Sequence, residues 1–303
     1  MLLKKTLYKI FKSKKSYNNI KPELKNEEKI NFFKKKYEKL IINIRENIDN
    51  KKELNFFHSG PIGDLIYSLA TIKEISKTHK CNFLININKK YNHPYYKHTG
   101  NGVLINERMY DFILPFFKNQ NFLNNVKKYE NERIDIDLDL FRELPWNNTF
   151  NTPRVFFHIT GEQTNLNESY ASVNDHPTIK NRIVIQRSFR FRNIYINYKF
   201  MRNFESPLFI GMEDEFNDLK EEIPNLEHYD AKDFLEVAQI IKSSKFYVGN
   251  QSSCYALAEA IKVPRLLEGC PDSPYVQPVG PQAFDFYYQD HLVKWFNHLN
   301  KIQ

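Results

Sequence analysis

From Leu54 onward the chain alternates short apolar runs rich in β-branched and aromatic residues with stretches of helical periodicity. No other feature constrains the fold as much. ELNFFHS (53–59) predicts a strand. GDLIYSLATIKEISKTH (63–79) predicts a helix, with Leu65, Leu69, Ile72 and Ile75 spaced three to four apart. CNFLININ, VLINE, FILPFF and ERIDIDLDLF predict further strands. A second series starts with the strands NRIVIQRS and SPLFIGM, followed by the helix AKDFLEVAQIIKSS and the strand KFYVGN. It continues through the helix SCYALAEAIK and the strand PRLLEG to a final helix, AFDFYYQDHLVKWFNHLNK. Strands separated by helices pair in parallel, so the expected class is α/β, in two halves joined near residue 180. The stretch 142–181, rich in Asn, Thr, Glu and Pro, reads as a connection or as a loop that meets a ligand. Open α/β sheets bind ligands outside the carboxyl ends of their strands, and two halves put a cleft there.

Charge separates the front of the chain from its body. Residues 1–52 hold 16 Lys/Arg against 6 Asp/Glu, whereas the remaining 251 residues hold 28 against 30. A nucleic-acid partner would require basic residues on the folded body as well, so none is expected. The three cysteines (Cys81, Cys254, Cys270) fall in no CxxC spacing, which argues against a disulfide framework or a zinc site and for a reducing compartment. There is no apolar run of about 18 residues to span a membrane and no pattern of a secretory signal. Within MLLKKTLYKIFKSKK, Leu2, Leu3, Leu7, Ile10 and Phe11 fall on one half of a helix and Lys4, Lys5, Lys9 and Lys12 on the other. Residues 2–15 therefore suit an anionic membrane surface, or a helix docked on its own protein with a solvated lysine face. The following charged stretch predicts a longer helix with Ile30, Phe33, Tyr37, Leu40 and Ile41 as its packing stripe.

Several ligand signals can be tested on the residues. There is no GxGxxG and no GxxxxGK[ST], and the second strand ends ININ without the acidic residue that a dinucleotide site requires. In RIDIDLDLF, alternation places Asp135, Asp137 and Asp139 on one face of a strand. That face reads as solvated or helix-facing, and no metal site is assigned. Two places suit an anion. A strand ends at Gly249-Asn250 and a helix begins near Ser252-Ser253, where free backbone N–H groups and two hydroxyls make a diphosphate cradle. On its own residues this stretch is equally a plain serine N-cap. In IQRSFRFRN, Arg187, Arg190 and Arg192 follow a strand, where they could neutralise a phosphate or simply decorate a loop. The first glycine-rich turn, GPIGD, instead carries a carboxylate, Asp64, at a helix start.

Together these stretches resemble the ADP-heptose–lipopolysaccharide heptosyltransferases, glycosyltransferases of family 9 with the GT-B fold. The likeness rests on GDLIYSLATI (63–72), on YVGNQSSCYALAEAIKVP (247–264), and on FIGMEDE and DFLEVAQIIKSSKF between them, so it covers roughly residues 54–270. It implies two Rossmann-like α/β domains facing a cleft, behind a basic helical extension. The expected divisions are 1–52 for the extension, 53–178 for an acceptor domain and 179–303 for a nucleotide-sugar domain, with the last helix a candidate to pack back on the acceptor domain. The implied reaction is inverting, metal-independent sugar transfer from a nucleotide-sugar donor to a glycan or glycolipid acceptor, without a cofactor. Asp64 matches the family's general base, and a helix N-terminus is expected to lower its pKa and keep it ionised. Arg187, Arg190, Gly249, Asn250, Gln251, Ser252 and Ser253 would hold the donor. His58, Ser59, Gly60 and Gly63 would line the acceptor side of the cleft. A cytoplasmic protein of polysaccharide biosynthesis, peripheral at the inner face of a membrane, is the matching location. Two departures stand out: the family's acidic residue after V-G-N is Gln251 here, and its histidine is replaced by Cys254-Tyr255. They imply a donor other than ADP-heptose, or loss of transfer. The competing readings are a non-catalytic sugar-nucleotide or glycan-binding protein, and a nucleotide-sugar hydrolase or epimerase using His58 for proton chemistry.

Overall fold

A computed structural model describes residues 14–91, 102–144, 149–205 and 207–302. The chain divides into two compact units, residues 1–46 and 47–303. In the first, helix α1 (Lys14–Phe33) runs through a π turn (Lys34–Glu38) into α2 (Lys39–Asn50). The expected packing stripe is only partly kept. Tyr37 and Ile44 are buried, while Ile30 and Leu40 are 54% and 46% exposed. The extra residue per turn of a π segment rotates the faces on either side of it relative to each other, which a constant 3.6-residue period cannot anticipate. Residues 2–12, read as a lysine-faced helix, lie outside the described residues.

The second unit begins at Asn47, ahead of the first strand. Asn47 Nδ2 donates to Asp135 O at 2.9 Å, and Lys51 pairs with the Asp135 carboxylate at 2.5 Å, so residues 47–52 belong with this unit. Its first sheet contains β1 (Glu53–His58), β2 (Lys80–Ile85), β3 (Leu123–Lys128) and β4 (Ile136–Asp137), all parallel, in the order β3-β2-β1-β4. Between them run α3 (Ile62–Ile75) and α4 (Glu107–Lys118); α5 (Thr152–Thr160) follows the sheet. The second sheet is also parallel, in the order β10-β9-β8-β5-β6-β7. It is built from β5 (Ile183–Gln186), β6 (Leu208–Ile210), β7 (Glu227–Tyr229), β8 (Phe246–Asn250), β9 (Arg265–Glu268) and β10 (Ala283–Phe286). Helices α6 (Glu213–Glu222), α7 (Phe234–Lys242), α8 (Ser253–Ile261) and α9 (Gln289–Ile302) alternate with these strands. The architecture is α/β with two Rossmann-like lobes, as the alternation predicts.

Four local expectations are corrected. FILPFF and the end of VLINE belong to α4, not to strands. Asn106 caps that helix by accepting from Met109 N at 2.9 Å, and Tyr110, Ile113 and Phe117 bury one face at helical spacing. The strand that actually follows, LNNVKK, is a polar sheet edge with no run of apolar residues to announce it. RIDIDLDLF is a strand only at Ile136–Asp137. The Asp137 side chain then accepts from Asp139 N at 2.9 Å and turns the chain into a 3-10 segment (Leu138–Glu143), so the three aspartates do not share a strand face. Finally, AFDF is β10, and only Gln289 onward is helical. Leu292, Phe296 and Leu299 of α9 join the core of the second sheet with Phe246 and Leu266, so the last helix packs on the second lobe rather than the first. Among the described residues no helix is long and apolar enough to cross a membrane.

In both sheets the strand order reverses once, and ligand crevices open at such switch points. In the first lobe the reversal lies between β1 and β4, at the carboxyl ends His58 and Asp137. In the second it lies between β5 and β8, at Gln186 and Asn250.

Candidate functional site

At the first switch point β1 ends in a buried His58, and the chain turns through Gly60 at φ +88° before α3 begins. A side chain at Gly60 would be strained there and would also meet Ile105 Cδ1 at 2.7 Å. The turn is held from behind. Ser59 N donates to Asp139 Oδ1 at 3.0 Å, Gly60 N to His58 Nδ1 at 3.1 Å, and Asn86 Nδ2 to Ser59 Oγ at 3.1 Å. His58, Ser59 and Gly60 therefore support the turn and do not reach the cavity wall. Gly63 and Asp64, one turn into α3, do reach it.

Asp139 lies at the centre of this mouth. Its carboxylate pairs with Lys89 at 2.7 Å and with Arg142 in a short contact, and it lies 3.1 Å from His58 Nδ1. Burial would raise the Asp139 carboxyl, but His58, Arg142 and Lys89 together hold it well below the usual carboxylate range. Burial lowers the His58 pKa even beside that carboxylate. Arg142 stacks its guanidinium 4.4 Å from the Phe141 ring and stands with Nη2 4.0 Å from Asp64 Oδ2. The chain His58–Asp139–Arg142 thus fixes a cation beside Asp64.

The Asp64 side chain is 21% exposed. Burial pushes its pKa up to about 6, with Arg142 and Arg190 pulling the other way. The shift runs opposite to the expected lowering: the cost of desolvating the carboxylate, with Asp139 nearby, outweighs the pull of both arginines. Asp64 is mostly ionised at pH 7, yet it is a better proton acceptor than an ordinary aspartate.

At the second switch point the arginines divide. Arg187 is 4% exposed and points away from the cavity. Its Nε and Nη2 donate to the Glu268 carboxylate at 2.8 and 3.0 Å, and Nη2 also donates to Ile196 O at 2.9 Å. Arg187 is therefore a buried strut rather than a side chain in reach of a phosphate. Arg192 is spent on Asp218 and on loop carbonyls, whereas Arg190 lines the cavity. Asn250 holds that loop in place: its side chain accepts from Ser188 N at 2.9 Å and donates to Ser188 O and Arg190 O at 2.9 and 2.6 Å. Gly249 allows β5 and β8 to approach, since a Cβ there would lie 2.3 Å from Gln186 O. Asn250 and Gly249 are thus buried behind the wall, and Gln251, Ser252 and Ser253 form it. Ser252 caps α8, its Oγ accepting from Tyr255 N at 3.2 Å.

Both mouths open on one cavity of about 2090 Å³. The starts of α3 and α8 adjoin, because a Cβ on Gly63 would lie 4.0 Å from Ser252 O and 3.9 Å from Ala256 Cβ. Three wall residues had no sequence signal of their own: Arg142, Gln186 and Glu215. Arg142 was hidden by reading 133–141 as one strand, and Gln186 and Glu215 are made neighbours only by the fold, which brings the end of β5 to the first turn of α6. Among the described residues no group of three or more His, Cys, Asp or Glu is placed to hold a metal ion.

No protein-family model matches the sequence, and no curated protein matches it. Solved structures do match the fold. One is a glycosyl transferase of family 9 from Veillonella parvula DSM 2008, with TM-score 0.51, 9% identity, and coverage of 82% of this chain and 89% of that one. Another is ADP-heptose lps heptosyltransferase II of E. coli, with TM-score 0.53, 11% identity, and coverage of 82% and 98%. At such identities the likeness establishes the fold alone. The fold is the GT-B arrangement of two Rossmann-like lobes that these structures share, as the resemblance in sequence implies.

Proposed function

We propose that the chain is an inverting, metal-independent glycosyltransferase that moves a sugar from a nucleotide-sugar donor to a glycan or glycolipid acceptor. The observation that carries this reading is the meeting of two unlike switch points on one cavity: a half-buried carboxylate on the first lobe and a helix N-terminus with Arg190 on the second. The GT-B likeness, whose two solved examples are named as a glycosyl transferase and a heptosyltransferase, supports the same reading.

In this mechanism Asp64 takes the proton of an acceptor hydroxyl as that oxygen bonds to the anomeric carbon. The bond from that carbon to the diphosphate oxygen breaks, and the nucleoside diphosphate leaves with the electron pair. The charge on the leaving diphosphate is met by the free N–H groups at the start of α8, the hydroxyls of Ser252 and Ser253, and Arg190. Gln251 and Cys254, where family 9 has an acid and a histidine, point to a donor sugar other than heptose. The basic segment 2–15 would bring the enzyme to an anionic membrane that carries a lipid-linked acceptor, on the cytoplasmic side. Its removal should abolish co-sedimentation with anionic liposomes and leave turnover of a soluble acceptor intact.

A thermal-shift panel of nucleoside diphosphates and nucleotide sugars identifies the donor, because a ligand bound only by the native state raises its stability. With that donor, Asp64→Asn should reduce turnover by about 10²- to 10⁴-fold, the range for loss of a general base. Turnover should be equal with and without EDTA. An Asp64→Asn enzyme with near-native turnover would end the assignment of the base. Donor loss without any acceptor would favour the hydrolase.

A further inference from the structure

We propose that Asp139 is a positioning residue for the transfer: it holds the Arg142 guanidinium away from Asp64 and so leaves the base open to an acceptor hydroxyl. This rests on the reading of Asp64 as the base and deepens it, by naming what keeps that carboxylate out of an ion pair.

Two carboxylates share one guanidinium. Asp139 and Arg142 are three residues apart in the 3-10 segment, where side chains at i and i+3 eclipse, so the local fold lines them up. Arg142 Nη1 donates to Asp139 Oδ1 in a short contact, while Nη2 stands 4.0 Å from Asp64 Oδ2, beyond hydrogen-bond distance. Nη2 is buried and has no hydrogen-bond partner among the described residues. An unsatisfied guanidinium arm beside a carboxylate gains by closing on it, and a movement of about 1 Å would make a charge-assisted bond. The other arm prevents that movement, because Asp139 is itself fixed from three places. Its backbone N donates to Asp137 Oδ1 at 2.9 Å, its Oδ1 accepts from Ser59 N at 3.0 Å, and its Oδ2 accepts from Lys89 Nζ at 2.7 Å.

A direct pair between Arg142 and Asp64 would hinder the reaction in two ways. It would occupy the oxygens to which an acceptor hydroxyl must come within about 2.6–3.2 Å. It would also lower the proton affinity that burial raises. Of the charged groups around Asp64, Asp139 raises its pKa, and Arg142 and Arg190 lower it. The start of α8 brings Ser252, Ser253 and Cys254 to the same wall, and α5 brings Thr152 and Val155, none of them ionised near pH 7. Tyr67, about one turn along α3, is a phenol whose pKa burial pushes well above its usual value. Asp139 therefore acts on Asp64 twice, by its own charge and by the cation it retains. A merely structural duty would need only an acceptor for Ser59 N, which an asparagine supplies.

The test is a titration of Asp64 in the full chain by carboxyl 13C chemical shift, assigned by the signal lost in Asp64→Asn, and it needs no substrate. In the native protein the midpoint should lie at about 6. In Asp139→Asn it should fall by about one pH unit or more, as Arg142 closes on Asp64. In Asp139→Asn combined with Arg142→Leu it should return to the native position or above. With the donor identified by the thermal-shift panel, Asp139→Asn should also lower turnover by about tenfold or more. If Asp139→Asn does not fold, the pair Lys89→Met and Asp139→Asn, which removes the charge left beside the amide, takes its place with the same expectation. A midpoint that stays in place, or one that moves without a change in turnover, overturns the positioning role and leaves Asp64 as the base. Near-native turnover in Asp64→Asn overturns the base reading itself, and the proposal with it.

Discussion

The two mouths of the cavity are built from the same element, a strand end that turns into a helix start at a switch point, and they differ in where their charges go. In the first lobe two ions, Asp64 and Arg142, face the ligand space, and a buried carboxylate stands behind them. Asp139 gathers Lys89 and Arg142, and Arg142 stands against Asp64. In the second lobe the ion pair nearest the switch point, Arg187 with Glu268, is turned inward and sealed, and the wall beside it holds the amides of Gln186 and Gln251, the serine hydroxyls, Glu215 and Arg190. The first arrangement sets the proton affinity of a carboxylate. The second offers neutral hydrogen bonds to a polar ligand. A common backbone thus yields two chemically different edges according to which side chains reach solvent, the one proposed for proton transfer and the other for donor binding.

The contrast between Arg187 and Arg190 gives the largest predicted effect on stability. Arg187→Met leaves Glu268 buried and unpaired and should cost about 3–5 kcal/mol, read as a fall in the denaturant midpoint. Arg190→Met should lower that midpoint far less and weaken diphosphate binding instead. Equal destabilisation by both would erase the distinction between strut and ligand contact.

Asp64 supplies the next effect, with a sign opposite to the usual one for a mutation. Its folded pKa of about 6 lies above the unfolded value near 3.8, so its contribution to stability is complete below about pH 4 and is lost as pH rises through 6. Asp64→Asn should therefore stabilise the protein at pH 7.5, by up to about 2–3 kcal/mol, and should have little effect at pH 4. In the proposed mechanism, the activity of the native residue and the stability of its replacement are two consequences of one desolvated carboxylate. The smallest change belongs to the second mouth: Ser252→Ala removes the cap of α8 and should cost about 1 kcal/mol. A clearly larger loss on urea unfolding would mean that Ser252 has further structural duties.

Much of this was legible in the sequence, because alternating strand and helix patterns and the turns that join them are local. GDLIYSLATI and the residues around VGNQSS could be placed at helix starts without any tertiary knowledge. The errors come from contacts between distant segments and from local caps and turns that hydrophobic periodicity does not register. Arg187 follows a strand in the same way as Arg190, and only Glu268, 81 residues away, makes it a strut. Asp139 reads as one of an alternating triplet until Asp137 turns the chain and aims it at His58 and Lys89. FILPFF reads as a strand until Asn106 is seen to cap a helix. Polar LNNVKK pairs with β2 because its neighbours place it at the sheet edge, which its own side chains do not announce.

The pH dependence of kcat/KM, with the donor found by the binding panel, tests the central claim most directly. If Asp64 is the base, activity should rise with pH along a limb of apparent pKa near 6 and level off above it. Because the Arg142 cation holds the Asp64 pKa down, Arg142→Leu should move that limb to higher pH, and Asp64→Asn should remove it along with nearly all turnover. A profile flat between pH 5 and 8, or a limb that stays in place in Arg142→Leu and survives in Asp64→Asn, would contradict the account.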